Sequence, residues 1–278
     1  MLDLIAFDLD GTTLNSSSKV SDRNYAALRK AHERGVKLVP CTGRPMYELP
    51  VELDQLIDEF GFSVFPFIVT DNGAQVYNLP KKELLYSKNL SRETALAIIF
   101  EGRKKLALTY GSFGIQGATD NKGLAWESEE AKPYIQEYRD RWGDLPIADL
   151  EELVDWSNGA VKLSMNFLYE DDHKKSLDEF SVWTGLTLSA AASKNIEFTS
   201  EGISKGEAVK FVSGHTGIPM ERIMAIGDNL NDVEMIKAVG FGVAMGNAIP
   251  LLKEKADWIT AVNDEDGFAL AIEKMLDM

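Results

Sequence analysis

The sequence contains little cysteine, little histidine and no long apolar run. Cys41 is its only cysteine, which excludes an intramolecular disulfide and suits a reducing compartment. The three histidines are scattered without metal-ligand spacing, which argues against a histidine-ligated metal site. Every apolar run falls short of the roughly 18 residues of a membrane span, and the acidic N-terminal segment lacks the basic start of a signal peptide. We therefore expect a cytoplasmic protein with no membrane partner.

Positive charge is also scarce. Acidic residues outnumber basic ones by 44 to 29, which gives a net charge of −15. Repulsion makes nucleic acid a poor partner for such a chain. A small anion can still bind where a cation and backbone dipoles hold it, so the expected partner is a small molecule. The oligomeric state is not indicated by these residues.

Short apolar runs alternate with helix-like segments near both ends of the chain. Residues 4–9, 36–41 and 67–70 predict buried strands at one end, and residues 222–226, 241–245 and 257–260 predict them at the other. This alternation predicts an α/β fold with a doubly wound, Rossmann-like parallel sheet.

The middle of the chain differs, with longer and more mixed elements. Residues 91–105 and 172–184 predict helices, 161–167 alternate like a half-buried strand, and 111–114 suggest a glycine-rich turn. A further helix is expected to begin at Ser128. We predict a core domain formed by residues 1–82 and 191–278, with residues 83–190 inserted as an α+β cap domain that selects the substrate.

Two acidic side chains follow the first predicted strand. Asp8 and Asp10 are two residues apart, so on extended backbone they point to the same side, and Gly11 permits a tight turn after them. An Asp-Gly turn that merely ends a strand is the plainer interpretation of this pair. The longer pattern Asp-x-Asp-Gly-Thr after a strand is much more specific for a site.

A second acidic group follows the strand at 222–226. Asp228, Asn231 and Asp232 lie directly after it, and Asp232 or Asn231 could simply cap the next helix. We accept a structural role for Asp232 and assign Asp228 to a site. Acids from two strand ends suit Mg²⁺, which takes carboxylate and phosphate oxygens as ligands.

Groups that could bind an anion occur at two further places. Thr42 and Gly43 follow the second strand and offer a hydroxyl and backbone N–H groups to an anion. Lys205 carries a compact charge of the kind that neutralises phosphate. Taken singly, the turn is a weak signal, and the lysine is equally typical of an exposed helix start.

Together these segments resemble the haloacid dehalogenase superfamily, and within it the Cof-type phosphatases with an inserted cap. The motifs that carry the resemblance occur in the family's order: DLDGTTLNS at 8–16, CTGRP at 41–45, DNGA at 71–74, GISKG at 202–206 and GDNLND at 227–232. One departure is Thr13, where a leucine is commoner in the family.

The resemblance implies a role for each matching residue. Asp8 would be the nucleophile and would form an aspartyl phosphate, and Asp10 would be the general acid and base. The implied ligands of Mg²⁺ are Asp8, Asp228 and the backbone carbonyl of Asp10. The implied ligands of the phosphoryl oxygens are Thr42, Gly43, Lys205 and Asn231.

The resulting hypothesis is an enzyme, a Mg²⁺-dependent phosphoric monoester hydrolase that acts on small phosphorylated metabolites such as sugar phosphates. A phosphomutase or phosphotransferase shares the aspartyl-phosphate chemistry, and a catalytically silent phosphate sensor could share the fold. Intact Asp8 and Asp10 argue against the sensor, since binding alone needs no nucleophile.

Overall fold

In the computed structural model, the apolar run at the N-terminus forms a buried strand in the middle of a parallel sheet. The structure describes residues 2–50, 52–114, 116–120, 129–130, 132–133, 135–136, 139, 146–189 and 194–277. The expected helix start at Ser128 lies outside these residues, and the observations below concern the described residues only.

The strands and helices are numbered in chain order. The strands are β1 (Leu4–Phe7), β2 (Lys37–Pro40), β3 (Phe67–Thr70), β4 (Gln75–Asn78), β5 (Glu83–Ser87), β6 (Leu108–Phe113), β7 (Gln116–Asp120), β8 (Ile147–Ala148), β9 (Lys162–Asn166), β10 (Leu186–Ser189), β11 (Asn195–Ser200), β12 (Ile223–Gly227), β13 (Phe241–Ala244) and β14 (Trp258–Ile259). The helices are α1 (Asp22–Glu33), α2 (Glu52–Phe60), α3 (Arg92–Lys104), α4 (Leu150–Ser157), α5 (Glu170–Ser181), α6 (Lys205–Thr216), α7 (Val233–Ala238), α8 (Pro250–Lys255) and α9 (Gly267–Leu276).

The chain forms two compact units. The first comprises Met1–Arg44, Leu49–Ser87 and Ser204–Met278, and the second comprises Pro45–Glu48 and Lys88–Ile203. The pairing of β5 and of β11, the strands nearest the points where the chain passes between the units, explains where these limits fall.

These limits differ from the domain boundaries expected from the sequence. β5 pairs with β4 in the first unit, although residues 83–87 were expected in the insertion. β11 pairs with β9 and β10 in the second unit, although residues 191–278 were expected in the core. The backbone hydrogen bonds of β5 with β4, and of β11 with β9 and β10, decide these memberships, and the division into core and cap domains stays a prediction.

The first unit contains a five-stranded parallel sheet in the order β14-β13-β12-β1-β2. All four residues of β1 are buried, as expected for a parallel strand covered on both faces. The ring of Phe7 lies 5.3 Å from that of Phe268 on α9, which packs one helix against the sheet. The prediction of a parallel α/β sheet with helices between its strands is confirmed.

The second unit contains a six-stranded sheet in the order β10-β11-β9-β6-β7-β8, antiparallel except for the β7–β8 pair. Leu163 and Met165 of β9 point into an apolar cluster with residues of α3 and α4. The intervening Lys162, Ser164 and Asn166 point to the other face because strand side chains alternate. β9 is therefore buried on both faces rather than half-buried.

Residues Gly111 to Phe113 belong to β6, so the expected turn there is wrong. A Cβ atom at Gly111 would lie 2.6 Å from Cδ2 of Leu163, which shows that close packing requires this glycine. Only Gly114, with φ of +70°, has the backbone of a turn glycine.

The polar face of this sheet contains a buried ion pair. Nζ of Lys162 lies 2.9 Å from Oε1 of Glu197, and the two side chains are 7% and 3% exposed. Beside them, Nδ2 of Asn195 donates to Oδ1 of Asn166 at 2.9 Å. Burial, with the nearby Glu197 charge, raises the pKa of Tyr110 on the same face.

Among the described residues, every helix is too short or too polar to cross a membrane.

The buried pair generates a prediction about stability. Lys162→Ala leaves the Glu197 carboxylate buried without its ammonium partner, and we expect the free energy of unfolding to fall by about 3–5 kcal/mol. Lys174→Ala breaks an exposed ion pair with Glu170 and should leave the urea midpoint unchanged. Equal midpoints for the two variants in urea titrations would contradict a structural role for the Lys162–Glu197 pair.

Candidate active site

Three adjacent strands deliver polar residues to one edge of the parallel sheet. β1 lies between β12 and β2, and the carboxyl ends of parallel strands meet at the same edge. Asp8 follows β1, Thr42 follows β2 after one intervening residue, and Asp228 follows β12. The sheet therefore brings together residues that the sequence places in three separate segments.

The turn after β1 is shaped around Asp228. Gly11 has φ of +77°, and a Cβ atom there would lie 2.5 Å from Oδ2 of Asp228. The hydroxyl of Thr12 donates to Oδ1 of the same carboxylate at 3.0 Å. Thr13, the departure from the family pattern, is buried and donates to the backbone carbonyl of Asp8 at 2.7 Å. Its hydroxyl thus fixes the segment that carries Asp8.

Lys205 is fully buried at the first position of α6, directly after its N-cap residue Ser204. Its ammonium lies 2.6 Å from Oδ1 of Asp8 and 2.7 Å from Oδ1 of Asp232. Burial alone would lower the pKa of Lys205, but the charges of Asp232 and Asp8 outweigh it and raise this pKa above its usual range. The lysine is therefore a permanent positive charge beside Asp8, not an exposed residue at a helix start.

Both carboxylate oxygens of Asp232 accept hydrogen bonds from neighbouring residues. Its Oδ1 accepts from Lys205, and its Oδ2 accepts from the backbone N–H groups of Asp228 and Asn229 at 3.0 Å each. These bonds close the turn after β12 rather than capping α7. The geometry supports a structural role for Asp232, which orients both Asp228 and Lys205.

Negative charge exceeds positive charge in this cluster. Asp8, Asp228 and Asp232 each place a carboxylate oxygen within 4.8 Å of the others, and Lys205 is the ammonium that pairs with two of them. Burial raises the pKa of Asp8 well above its usual range, although the Lys205 charge opposes this. Burial, followed by the charge of Asp232, raises the pKa of Asp228 to about 7. A divalent cation with oxygen ligands would relieve this repulsion, so the residues fit a metal ion.

Asp10 has a partner that sequence analysis did not assign. Nε and Nη2 of Arg44 donate to its two carboxylate oxygens at 2.7 and 2.6 Å, a bidentate pair. The Arg44 side chain is 14% exposed and that of Asp10 is 42% exposed. The position of Arg44 in the turn after β2 could have indicated this contact, because a guanidinium there can reach the end of β1.

The remaining predicted residues lie in two linked turns. The Thr42 hydroxyl is buried and accepts from the backbone N–H of Arg44 at 3.0 Å. Nδ2 of Asn231 donates to Oδ1 of Asn72 at 2.9 Å, and Asn72 also contacts Gly43. Asn72 lies in the DNGA motif, which carried the family resemblance but received no role.

Cys41 lies beside this site but is part of the core. It is buried, and burial raises the pKa of its thiol far above the usual range. Such a thiol is not a nucleophile at neutral pH.

The comparisons with known proteins agree with one another. A family model described as haloacid dehalogenase-like hydrolase matches residues 5–272. The 5-amino-6-(5-phospho-D-ribitylamino)uracil phosphatase YcsE of Bacillus subtilis is 33% identical over 275 residues, which cover 97% of this chain and 94% of the relative. An HMP-PP phosphatase of Cronobacter sakazakii is 31% identical over 261 residues, which cover 91% of this chain and 87% of the relative.

A solved structure is similar over the same extent. The crystal structure of a haloacid dehalogenase-like hydrolase from Bacteroides thetaiotaomicron has a TM-score of 0.81 and 29% sequence identity, and the match covers 99% of this chain and 100% of that chain. The likeness therefore includes both units of the chain.

The raised pKa of Asp228 predicts how pH affects the metal-free protein. A carboxyl group whose pKa rises on folding, here from 3.8 to about 7, favours the fold at low pH, and this contribution is lost as pH rises through that window. We expect the free energy of unfolding in EDTA to fall between these pH values by on the order of 4 kcal/mol for this group. Mg²⁺ should restore the melting temperature at pH 8, because the cation replaces the proton.

Two variants identify the group responsible. Asp228→Asn should reduce this pH dependence of the melting temperature and leave the part that comes from Asp8, whereas Asp54→Asn, at an exposed position of α2, should leave it as in the wild type. A slope in Asp228→Asn as steep as that of the wild type would contradict the prediction.

Proposed function

The chain belongs to the haloacid dehalogenase-like hydrolases and is a phosphatase of small phosphorylated substrates, and we propose that it acts through a phosphorylated Asp8 with Mg²⁺ as its cofactor. The observation that carries this proposal is the buried carboxylate of Asp8 at the end of β1, held by the ammonium of Lys205.

Asp8 attacks the phosphorus atom with one of its two oxygens. Lys205 engages Oδ1, so we assign Oδ2 as the nucleophile. The bond from Oδ2 to phosphorus forms while the bond from phosphorus to the leaving oxygen breaks. Lys205 also offsets the charge on the phosphoryl oxygens, which matters because phosphoryl transfer depends mainly on positioning and charge.

The metal ligands in this proposal are Asp8, Asp228 and the backbone carbonyl of Asp10. Bound Mg²⁺ would neutralise the carboxylates and polarise the phosphoryl group. Thr12 holds Oδ1 of Asp228 at 3.0 Å, and Asp232 fixes the backbone of the same residue. These contacts set the orientation of Asp228 before any cation binds.

Asp10 serves as general acid and then as general base. Its proton goes to the leaving oxygen in the first half-reaction, and its carboxylate takes a proton from the attacking water in the second. The hydroxide oxygen bonds to phosphorus, and the Asp8–phosphorus bond breaks to release inorganic phosphate. Arg44 donates to both oxygens of Asp10, an arrangement that suits the carboxylate form that acts as the base.

The phosphoryl oxygens are held by donors from separate segments. Thr42 contributes its hydroxyl, Gly43 its backbone N–H, Lys205 its ammonium and Asn231 its amide. Gly43 suits this role because the absence of a side chain lets an anion approach the backbone.

We assign selection of the leaving group to the second unit. One face of its sheet carries Lys162, Ser164 and Asn166 beside Asn195 and Glu197, all buried. Such a face suits polar groups that hydrogen-bond, in keeping with the ribitylamino-uracil phosphate in the name of one relative. The named relatives are phosphatases, which favours hydrolysis over the phosphomutase alternative.

Asp8→Asn tests the nucleophile. The amide keeps the shape but lacks the charge that attacks phosphorus, so hydrolysis of p-nitrophenyl phosphate with Mg²⁺ should become undetectable while the circular dichroism spectrum is retained. EDTA should abolish wild-type activity and Mg²⁺ should restore it. Asp155→Asn, at an exposed position of α4, is the matched control and should stay active. Substantial activity in folded Asp8→Asn would end the covalent mechanism.

Asp10→Asn separates the two proton transfers. Alkyl phosphates should lose more activity than p-nitrophenyl phosphate, because nitrophenolate leaves without a proton. The variant still lacks the base for the second half-reaction, so phosphorylated Asp8 should accumulate and be visible by intact mass spectrometry. Equal losses on both substrates without an adduct would give Asp10 a different task.

A further inference from the structure

The motif at residues 71–74 forms an unusual buried turn in the first unit. Asp71, Asn72 and Gly73 have φ values of +50°, +58° and +103°, in the region that residues other than glycine rarely adopt. Asp71 is fully buried and Asn72 is 4% exposed. A left-handed backbone at two consecutive buried residues persists only where the surroundings enforce it. The contacts of the turn show what it is held against.

The turn is tied to the segment that follows β2. The backbone N–H of Asn72 donates to the carbonyl of Thr42 at 3.1 Å, and that of Asp71 donates to the carbonyl of Arg44 at 3.0 Å. The carbonyls on both sides of Gly43 are therefore held by this turn. A Cβ atom at Gly43 would lie 2.8 Å from Oδ1 of Asn72, so the Asn72 side chain lies directly against the glycine.

The same side chain reaches the segment that follows β12. Oδ1 of Asn72 accepts a hydrogen bond of 2.9 Å from Nδ2 of Asn231. An amide nitrogen carries two hydrogens. One of them points to Asn72, and this contact fixes the plane of the Asn231 amide and the direction of its second hydrogen.

The turn also packs against the start of α6. A Cβ atom at Gly73 would clash with the backbone carbonyl of Ser204 and lie 3.1 Å from the backbone nitrogen of Lys205. The turn is thus a common neighbour of Gly43, Asn231 and the residue that begins α6. These are the residues to which the proposed function gives the phosphoryl oxygens.

We propose that Asn72 is a positioning residue for phosphate binding, which holds the Asn231 amide and the Gly43 backbone in one fixed arrangement towards the phosphoryl oxygens. This inference rests on the proposed function, because that function assigns Asn231 and Gly43 to the phosphoryl group. Asn72 acts through these two residues and needs no contact with the substrate. A short polar side chain is required, because it must tolerate the left-handed backbone and present an oxygen to Asn231.

The test is Asn72→Gly, which removes the carboxamide and keeps a residue that adopts positive φ readily. The measurements are KM and kcat for p-nitrophenyl phosphate and the inhibition constant of inorganic phosphate. We expect KM and the inhibition constant to rise together by about tenfold, the effect of one hydrogen bond to a charged group. A smaller change in kcat is expected, because the lost contact holds ground state and transition state alike.

Asn158→Gly is the matched control. Asn158 also has a left-handed backbone, with φ of +53°, at the exposed end of α4, and its replacement should leave both constants unchanged. A folded Asn72→Gly protein with the wild-type inhibition constant would overturn the proposal. If Asn72→Gly does not fold, Asn72→Ala replaces it, since alanine also removes the oxygen that accepts from Asn231. An unchanged inhibition constant in folded Asn72→Ala would overturn the proposal equally.

A double variant shows whether Asn72 acts through Asn231. Asn231→Ala alone should raise the inhibition constant of phosphate, and adding Asn72→Gly should then raise it by a smaller factor than Asn72→Gly does in the wild type, because only the route through Gly43 remains. Effects that multiply would mean that Asn72 acts independently of Asn231, which contradicts the proposal. If Asn231→Ala has no effect while Asn72→Gly does, the assignment of Asn231 in the proposed function fails instead, and with it the route through Asn231.

Discussion

The contact between the Lys205 ammonium and the carboxylates of Asp8 and Asp232 is the interaction on which the site depends. An uncompensated buried carboxylate is costly, and its pKa rises until it takes up a proton. Lys205 pairs with Asp8 and Asp232, yet Asp228 adds a third carboxylate for which the cluster holds no second ammonium. Burial, followed by the charge of Asp232, raises the pKa of Asp228, and the excess of carboxylates creates the demand for a divalent cation. The crowding of carboxylates around one ammonium therefore explains both the contacts within the site and its proposed need for a divalent cation.

Close packing of backbone against side chain gives this cluster its shape. Gly11 leaves room for the Asp228 carboxylate and Gly43 leaves room for the Asn72 amide, at distances that no Cβ atom would permit. Hydrogen bonds from Thr12 and from the backbone next to Asp232 then fix the direction of the carboxylates. A site whose groups are oriented before the ligand binds loses little free energy in ordering them, which is what phosphoryl transfer requires.

Local patterns predicted most of the first unit. Apolar runs such as Leu4–Phe7 identify buried parallel strands, and the Ser21 side chain caps α1 by accepting a hydrogen bond from the backbone N–H of Asn24, as a serine before a helix commonly does. The prediction failed at Gly111, because a glycine needed for packing against Leu163 looks the same in sequence as a glycine in a turn. β11 lies in the second unit, although residues 191–278 were expected in the core, because it pairs with β9 and β10.

The sequence by itself determined which chemical groups end the strands: carboxylates after β1 and β12, and a hydroxyl and a glycine after β2. Together with the family resemblance that these motifs carry, this was enough for the class of reaction, because each motif is a local pattern in the sequence. Only the tertiary structure decided the partners of these groups. Lys205 meets Asp8 across 197 positions, Asn231 meets Asn72 across 159, and Arg44 meets Asp10 across 34. Such pairs follow from strand order and helix placement, which depend on contacts throughout the sheet and not on spacing along the chain.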